Sequence, residues 1–170
     1  MTQQRKQSTD RFLAIYINDH RAGAAGGLAL ARRCARESGP GPVGDVLEEL
    51  AAEIAEDRDT LEHVAQLLGV RANPVKIAVA RIAEVAARLK LNGQLRGYSP
   101  LSRLIEREGL MAGIDAKRSL WVSLRTAHRL ELAEIDFEHL TQRASEQRDR
   151  LLPLHRLAAA EALRGDGADR

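Results

Sequence analysis

Acidic residues recur along this chain at helical spacing, and side chains of that type either hold hard cations or pair with buried cations. Glu53 and Glu56 stand three residues apart, as do Glu146 and Asp149, while Asp19 lies on an earlier segment and Glu108 and Asp115 share a later one. Residues three or four apart meet on one face of a helix. If these segments pack together, Asp19, Glu53, Glu56, Glu146 and Asp149 are expected to meet in one layer, joined by Glu108 or Asp115. Carboxylates removed from water are costly unless a metal, a cation or a proton compensates them.

Three outcomes follow from that expectation. A set of oxygen ligands suits Mn, Fe(II), Mg or Ca better than copper or a closed zinc site. Alternatively, Arg21, Arg58, Arg118, Arg143 and Arg150 stand close to the acids in sequence, and bidentate arginine bonds would satisfy both partners. In the third outcome the acids lie on solvated faces. His63 and His155 are further candidates for the acidic layer, and Asp136-x-x-His139 has the spacing of a ligand pair, although it falls near a helix start. Cys34 is the single cysteine, which leaves no disulfide framework and no cysteine metal site. No nucleophile elbow, phosphate loop or dinucleotide fingerprint is present.

The elements that must position these residues are helices. Apolar periodicity with caps predicts them near residues 8–37, 43–68, 100–127 and 132–163. The first opens at a Ser8 cap, with the stripe Phe12, Ile15, Asp19, Ala22, Gly26 and Ala29. Within it, the tract Ala22-Gly-Ala-Ala-Gly-Gly27 sacrifices helix propensity and suggests close helix approach. The second carries Leu47, Leu50, Ile54, Asp57, Leu61, Val64 and Leu68, closed by Gly69. Ser99-Pro100 opens the third, whose expected inward face is Leu101, Leu104, Glu108, Met111, Asp115 and Val122. The fourth turns Phe137, Leu140, Ala144, Gln147, Leu151, Leu154 and Ala158 inward, with Pro153 expected to kink or split it. Between the second and third, Val75 to Leu91 predicts a shorter basic amphipathic helix that either docks on the bundle or rests on an anionic membrane.

With 170 residues, 3% aromatics, and 26 basic against 24 acidic residues interleaved, the chain reads as one all-α domain. Its charges mark solvated helix faces rather than a nucleic-acid groove. The expected organisation is a flexible N-terminus over 1–7, a helical domain over 8–163 and a tail over 164–170. No apolar run reaches the ~20 residues that span a bilayer, and the polar start lacks a signal-peptide core, so a cytoplasmic protein is expected.

Short, long, short connections give a bundle with one crossover, in which the second and third helices run parallel. On this pattern the chain resembles the ferritin-like superfamily, whose di-metal centre takes a Glu from each of two helices and a Glu-x-x-His from each of the other two. Asp19, in Tyr16-Ile-Asn-Asp-His20, resembles the first carboxylate. The stretch Glu53 to Gly69 is similar to a bacterioferritin-type second helix, with Glu56 standing where histidine belongs. Glu146-Gln-Arg-Asp149 matches the other motif, with Asp149 in the histidine position, and Glu108 or Asp115 stands for the third-helix carboxylate. Asn18 to His20 and Tyr98 to Leu104 also resemble stretches of uncharacterised bacterial ferritin-like proteins.

The resemblance implies a ferritin-like four-helix bundle with a long helical crossover. With both motif histidines replaced, the expectation is a degenerate metal site in a binding or structural module without catalysis or a resident cofactor. Self-association, most simply as a dimer, is expected, with no nucleic-acid partner. The rival is a carboxylate-bridged di-iron or di-manganese protein that oxidises or sequesters metal.

Overall fold

Among the residues that the structure describes, four helices, each with an apolar face at three- and four-residue spacing, pack side by side. The computed structural model describes residues 2–72 and 99–164. Helix α1 spans Thr2–Ser38, α2 Pro42–Leu67, α3 Pro100–Thr126 and α4 Phe137–Leu163, with a short 3-10 turn at Leu130–Leu132 before α4. No strand occurs among the described residues. The helix expected over Val75 to Leu91 lies outside them.

Local chemistry sets the boundaries. Proline opens α2 and α3, at a position where its missing N–H has no helical partner to lose. The Ser99 hydroxyl accepts from the Ser102 backbone N–H at 3.1 Å. At the end of α2, Gly69 takes φ 64°, and its N–H bonds Gln66 while that of Val70 bonds Ala65. These two bonds satisfy orphan carbonyls in the manner of a Schellman cap.

Three boundary expectations need correction. Helix α1 runs back to Thr2 through Gln-Gln-Arg-Lys-Gln, good helix formers, so Ser8 sits inside the helix instead of capping it. Helix α4 starts at Phe137, not near 132, because the Asp136 carboxylate caps it by accepting from the His139 N–H at 2.9 Å. The Asp136-x-x-His139 spacing is thus that of an N-cap, not of a ligand pair. Of the two outcomes expected at Pro153, the split does not occur, since α4 runs through it as one helix. The Asp149 carbonyl that it deprives of a donor belongs to an exposed residue, where water can serve instead.

Helix α1 packs along α2, and α3 along α4; α1 also lies against α3, and α2 against α4. Cross-helix pairs give the directions. Asp10, early in α1, meets Arg129 just beyond α3, and Arg33, late in α1, meets Glu106 early in α3, so these helices are antiparallel. Glu49 and Glu56 of α2 pair with Arg150 and Arg143 of α4 in reverse order. With α1 and α2 joined by a short turn, α2 and α3 run parallel on a diagonal, and the chain between them joins opposite ends of the bundle.

Two apolar clusters form the core. One gathers Leu28, Ala31, Leu47, Leu50, Ile54, Leu110, Ile114 and Leu151; the other gathers Ile17, Leu61, Val64, Leu120, Trp121, Leu124, Phe137 and Leu140. The break between them falls at Asp57 on α2, at Lys117 on α3 and across Gly23 and Gly27 on α1.

The turn from α1 to α2 leaves no room at Gly44, where an added Cβ would collide with the Gly39 carbonyl oxygen. Gly44→Ala is expected to lower stability by roughly 1–3 kcal/mol, the range for forced overpacking. A urea midpoint unchanged from wild type would refute this.

Candidate functional site

Asp57 interrupts the apolar face of α2 between Ile54 and Leu61, and its side chain is only 2% exposed. Three donors converge on it. Its Oδ1 accepts from Arg143 of α4, and its Oδ2 accepts from the Lys117 ammonium of α3 and from Gln147 Nε2 at 3.0 Å. Gln147 is fully buried on α4 and works as a relay: its Oε1 accepts from Lys117, while Nε2 donates to Asp57 and to Glu53 Oε2 at 3.0 Å. Arg150 closes the layer by donating to Glu53, and Arg143 reaches Glu56 at 2.9 Å. Three acids, Glu53, Glu56 and Asp57, thus face three cations, Lys117, Arg143 and Arg150.

Burial pushes the Lys117 ammonium below the usual lysine range, and the attraction of Asp57 opposes that shift. A buried ammonium beside a buried carboxylate stays charged only while both keep their hydrogen bonds. The arrangement fixes charge at the centre of the bundle, because removing one member strands its partner.

The expected convergence is only partly present. Glu53 and Glu56 join the layer; Asp19, Glu108, Asp115, Glu146 and Asp149 do not. All five of those are exposed. Glu146 accepts from Gln142 on its own helix, Asp115 pairs with Arg148, and Glu108 lies 3.5 Å from His155. His63 is exposed on α2. Glu146 and Asp149 flank the inward Gln147 on α4, whose buried face is the expected one; for Asp19, Glu108 and Asp115 the cause is helix rotation. In α1 the buried residues are Ile17, Asn18, Ala22, Leu28, Ala31, Cys34 and Ala35, while Phe12 and Ile15 are exposed, which turns Asp19 outward. In α3 the buried residues are Ser102, Leu104, Glu106, Arg107, Leu110, Ile114, Leu120, Trp121 and Leu124, leaving Glu108 and Asp115 outside. Of the nearby arginines, Arg21 pairs with Glu62 and Arg58 with Asp59.

An ammonium lies among the central oxygens, two guanidinium groups hold the carboxylates, and among the described residues no group of three or more His, Cys, Asp or Glu side chains is placed to hold a metal ion. The residue missed from sequence is Lys117; Asp57 and Gln147 fall on the inward stripes read for α2 and α4, Gln147 without a role in the layer. Each sits between apolar residues on an inward face, Ile114 and Trp121 for Lys117, Ala144 and Leu151 for Gln147. One polar residue at matched depth on three helices was the available signal.

A second buried pair lies nearer the α1–α2 turn. Glu106 meets Arg33 at 3.0 Å and accepts from the Cys34 thiol at 3.7 Å. Burial, and then the Glu106 charge, push the Cys34 pKa up to about 12. Beside the first layer, α1, α2 and α3 enclose a cavity of about 290 Å³ lined by Gly23, Gly27, Gly113, Ile114 and Trp121, with Asp57 and Lys117 on its wall and His20 and Asp19 among its lining residues. Burial lowers the His20 pKa, against the pull of Asp19. Gly23 and Gly27 of α1 do not serve close helix approach: a Cβ at either would meet nothing within 4 Å, whereas one at Gly109 of α3 would press on Leu30.

Asp57→Ala, which strands Lys117, should cost about 3–5 kcal/mol of unfolding free energy, whereas Glu56→Ala, at a residue 67% exposed, should cost no more than ~1 kcal/mol. Equal losses in denaturant titrations would contradict the assignment of Asp57 as the central charge. Cys34 should resist an aromatic disulfide reagent at pH 8 in the folded protein and react fully in denaturant, since only the thiolate attacks; fast reaction of the native thiol would contradict its burial as a neutral group.

No protein-family model, curated protein or solved structure matches this chain.

Proposed function

We propose that the chain is a ferritin-like bundle whose central metal position has been taken over by fixed charge, leaving a binding or structural module without redox chemistry. The single observation that carries this reading is the Lys117 ammonium held by Asp57 and Gln147. It supplies, from within the protein, the positive charge that a metal would bring to such a layer. Antiparallel neighbours and a parallel α2–α3 diagonal support the ferritin-like topology. The rival di-iron or di-manganese reading would need these oxygens freed from three cations, and Asp19, Glu108, Asp115, Glu146 and Asp149 turned inward.

The module is further proposed to self-associate as a dimer through the outer face of α1, where Phe12 is 67% and Ile15 40% exposed. Large apolar side chains grouped on one exposed helix face mark association surfaces. No described helix is long and apolar enough to cross a membrane.

The test is metal linkage. A ligand that binds only the folded state raises its melting temperature. Fe(II) or Mn(II), added anaerobically to protein purified without a chelating tag, should leave the melting temperature within about 1 °C, and aerobic Fe(II) should consume oxygen no faster than buffer does. A saturable rise in melting temperature that Glu53→Ala abolishes would overturn the reading in favour of the metal protein.

A further inference from the structure

A second cavity, of about 270 Å³, opens where the α1–α2 turn meets the start of α3 and the end of α4. Its wall is apolar at Val43, Leu154, Leu157 and Ala158, and it carries the cations Arg103 and Arg107. Leu157 is 48% exposed, which places it at the mouth.

Arg107 is only 3% exposed, yet among the described residues it joins no ion pair. Its Nη1 donates to the Arg103 carbonyl at 3.4 Å, and its Nε is enclosed without an acceptor. Nη2 makes no hydrogen bond and is not enclosed, so it is the nitrogen that reaches the cavity. Other cations withdrawn from water each hold a carboxylate, Lys117 and Arg143 that of Asp57 and Arg21 that of Glu62. The acids near Arg107 are engaged by other arginines, Glu106 by Arg33 at 3.0 Å and Glu161 by Arg103 at 3.2 Å. Glu37 lies on the rim, exposed to water and paired with neither Arg103 nor Arg107.

A guanidinium does not shed its proton, and a buried charge without a counter-charge is costly. The partner it calls for is an anion. The first turn of α2 points the same way: Gly41 supplies no side-chain cap, and the positive end of a helix attracts negative charge.

We propose that this cavity binds a small organic monocarboxylate, its carboxylate on Arg107 Nη2 and its apolar body against Val43, Leu154 and Leu157. The space is close to twice the roughly 150 Å³ that accommodates benzene in an engineered core, enough for a substituted ring. The site names a ligand class for the binding module, but it lies at the turn end of the bundle, away from the charged layer. A metal response abolished by Glu53→Ala would overturn the earlier reading and leave this one standing.

The probes are 4-ethylbenzoate, 4-ethylbenzamide and inorganic phosphate, added to the full chain at pH 7. The benzoate should raise the melting temperature saturably. By calorimetry it should bind at one equivalent, about tenfold or more tightly than the amide, the advantage of one charge-assisted hydrogen bond. Phosphate, which cannot use the apolar wall, should bind about tenfold or more weakly than the benzoate. Arg107→Met should melt at or above the wild-type temperature and lose the benzoate response. Leu157→Glu, which sets a like charge at the mouth, should keep native helicity and weaken benzoate binding about fivefold or more. The proposal is overturned if the benzoate does not saturate, if the amide or phosphate matches it, or if its binding survives both variants. It is also overturned if Arg107→Met and Glu37→Gln lower the melting temperature equally, since Glu37 would then be the counter-charge from within the chain.

Discussion

Opposite charges fixed at one depth in an apolar bundle are the constraint on which the structure turns. A carboxylate at 2% exposure is costly unless its oxygens are taken up, and Lys117, Arg143 and Gln147 take those of Asp57. Those donors come from α3 and α4, so the pairing fixes the rotation and axial register of three helices at once. A methylene can slide past its neighbours at modest cost; a buried ammonium displaced from its carboxylate cannot. The relay through Gln147 extends the same demand to Glu53 and Arg150.

The layer also divides the molecule. Apolar packing on either side forms separate clusters, and the six ionic groups of the layer all come from α2, α3 and α4. Where α2, α3 and α4 fill the break with ionic groups, α1 crosses it with Gly23, Ala24 and Gly27 against Gly113 of α3, and a cavity results. Charge on one side and space on the other are two consequences of interrupting the core at a single level. The Glu106 pair with Arg33 and Cys34 does not open the core in this way, because Leu30 closes on Gly109 one turn along.

Much of this was legible in the chain and some was not. The faces of α2 and α4 read correctly, since Leu47, Leu50, Ile54, Leu61 and Val64, and likewise Phe137, Leu140, Ala144 and Leu151, leave one apolar stripe to choose. Helix α1 misled because it has two apolar edges: Phe12 and Ile15 on the outside compete with Leu13 and Ile17 on the inside. Helix α3 misled for the opposite reason, since its inward face includes Arg107 and Lys117, which periodicity alone assigns to solvent. Both rotations moved the acids Asp19, Glu108 and Asp115 into an imagined core. The arginine partners expected for the acidic layer are there as Arg143 and Arg150, but the central cation is a lysine from the helix whose face was misjudged.

The central claim is that Asp57 and Lys117 are tolerated in the core because they compensate each other, and a double-mutant cycle measures that coupling directly. Asp57→Leu and Lys117→Met are made singly and together, and unfolding free energies are obtained by urea titration. Mutual compensation predicts that the double variant is more stable than the Asp57→Leu single variant, with a coupling energy of about 2 kcal/mol or more. Additive losses, with coupling within about 0.5 kcal/mol of zero, would show that the two charges are independent and that the layer does not hold the bundle in register.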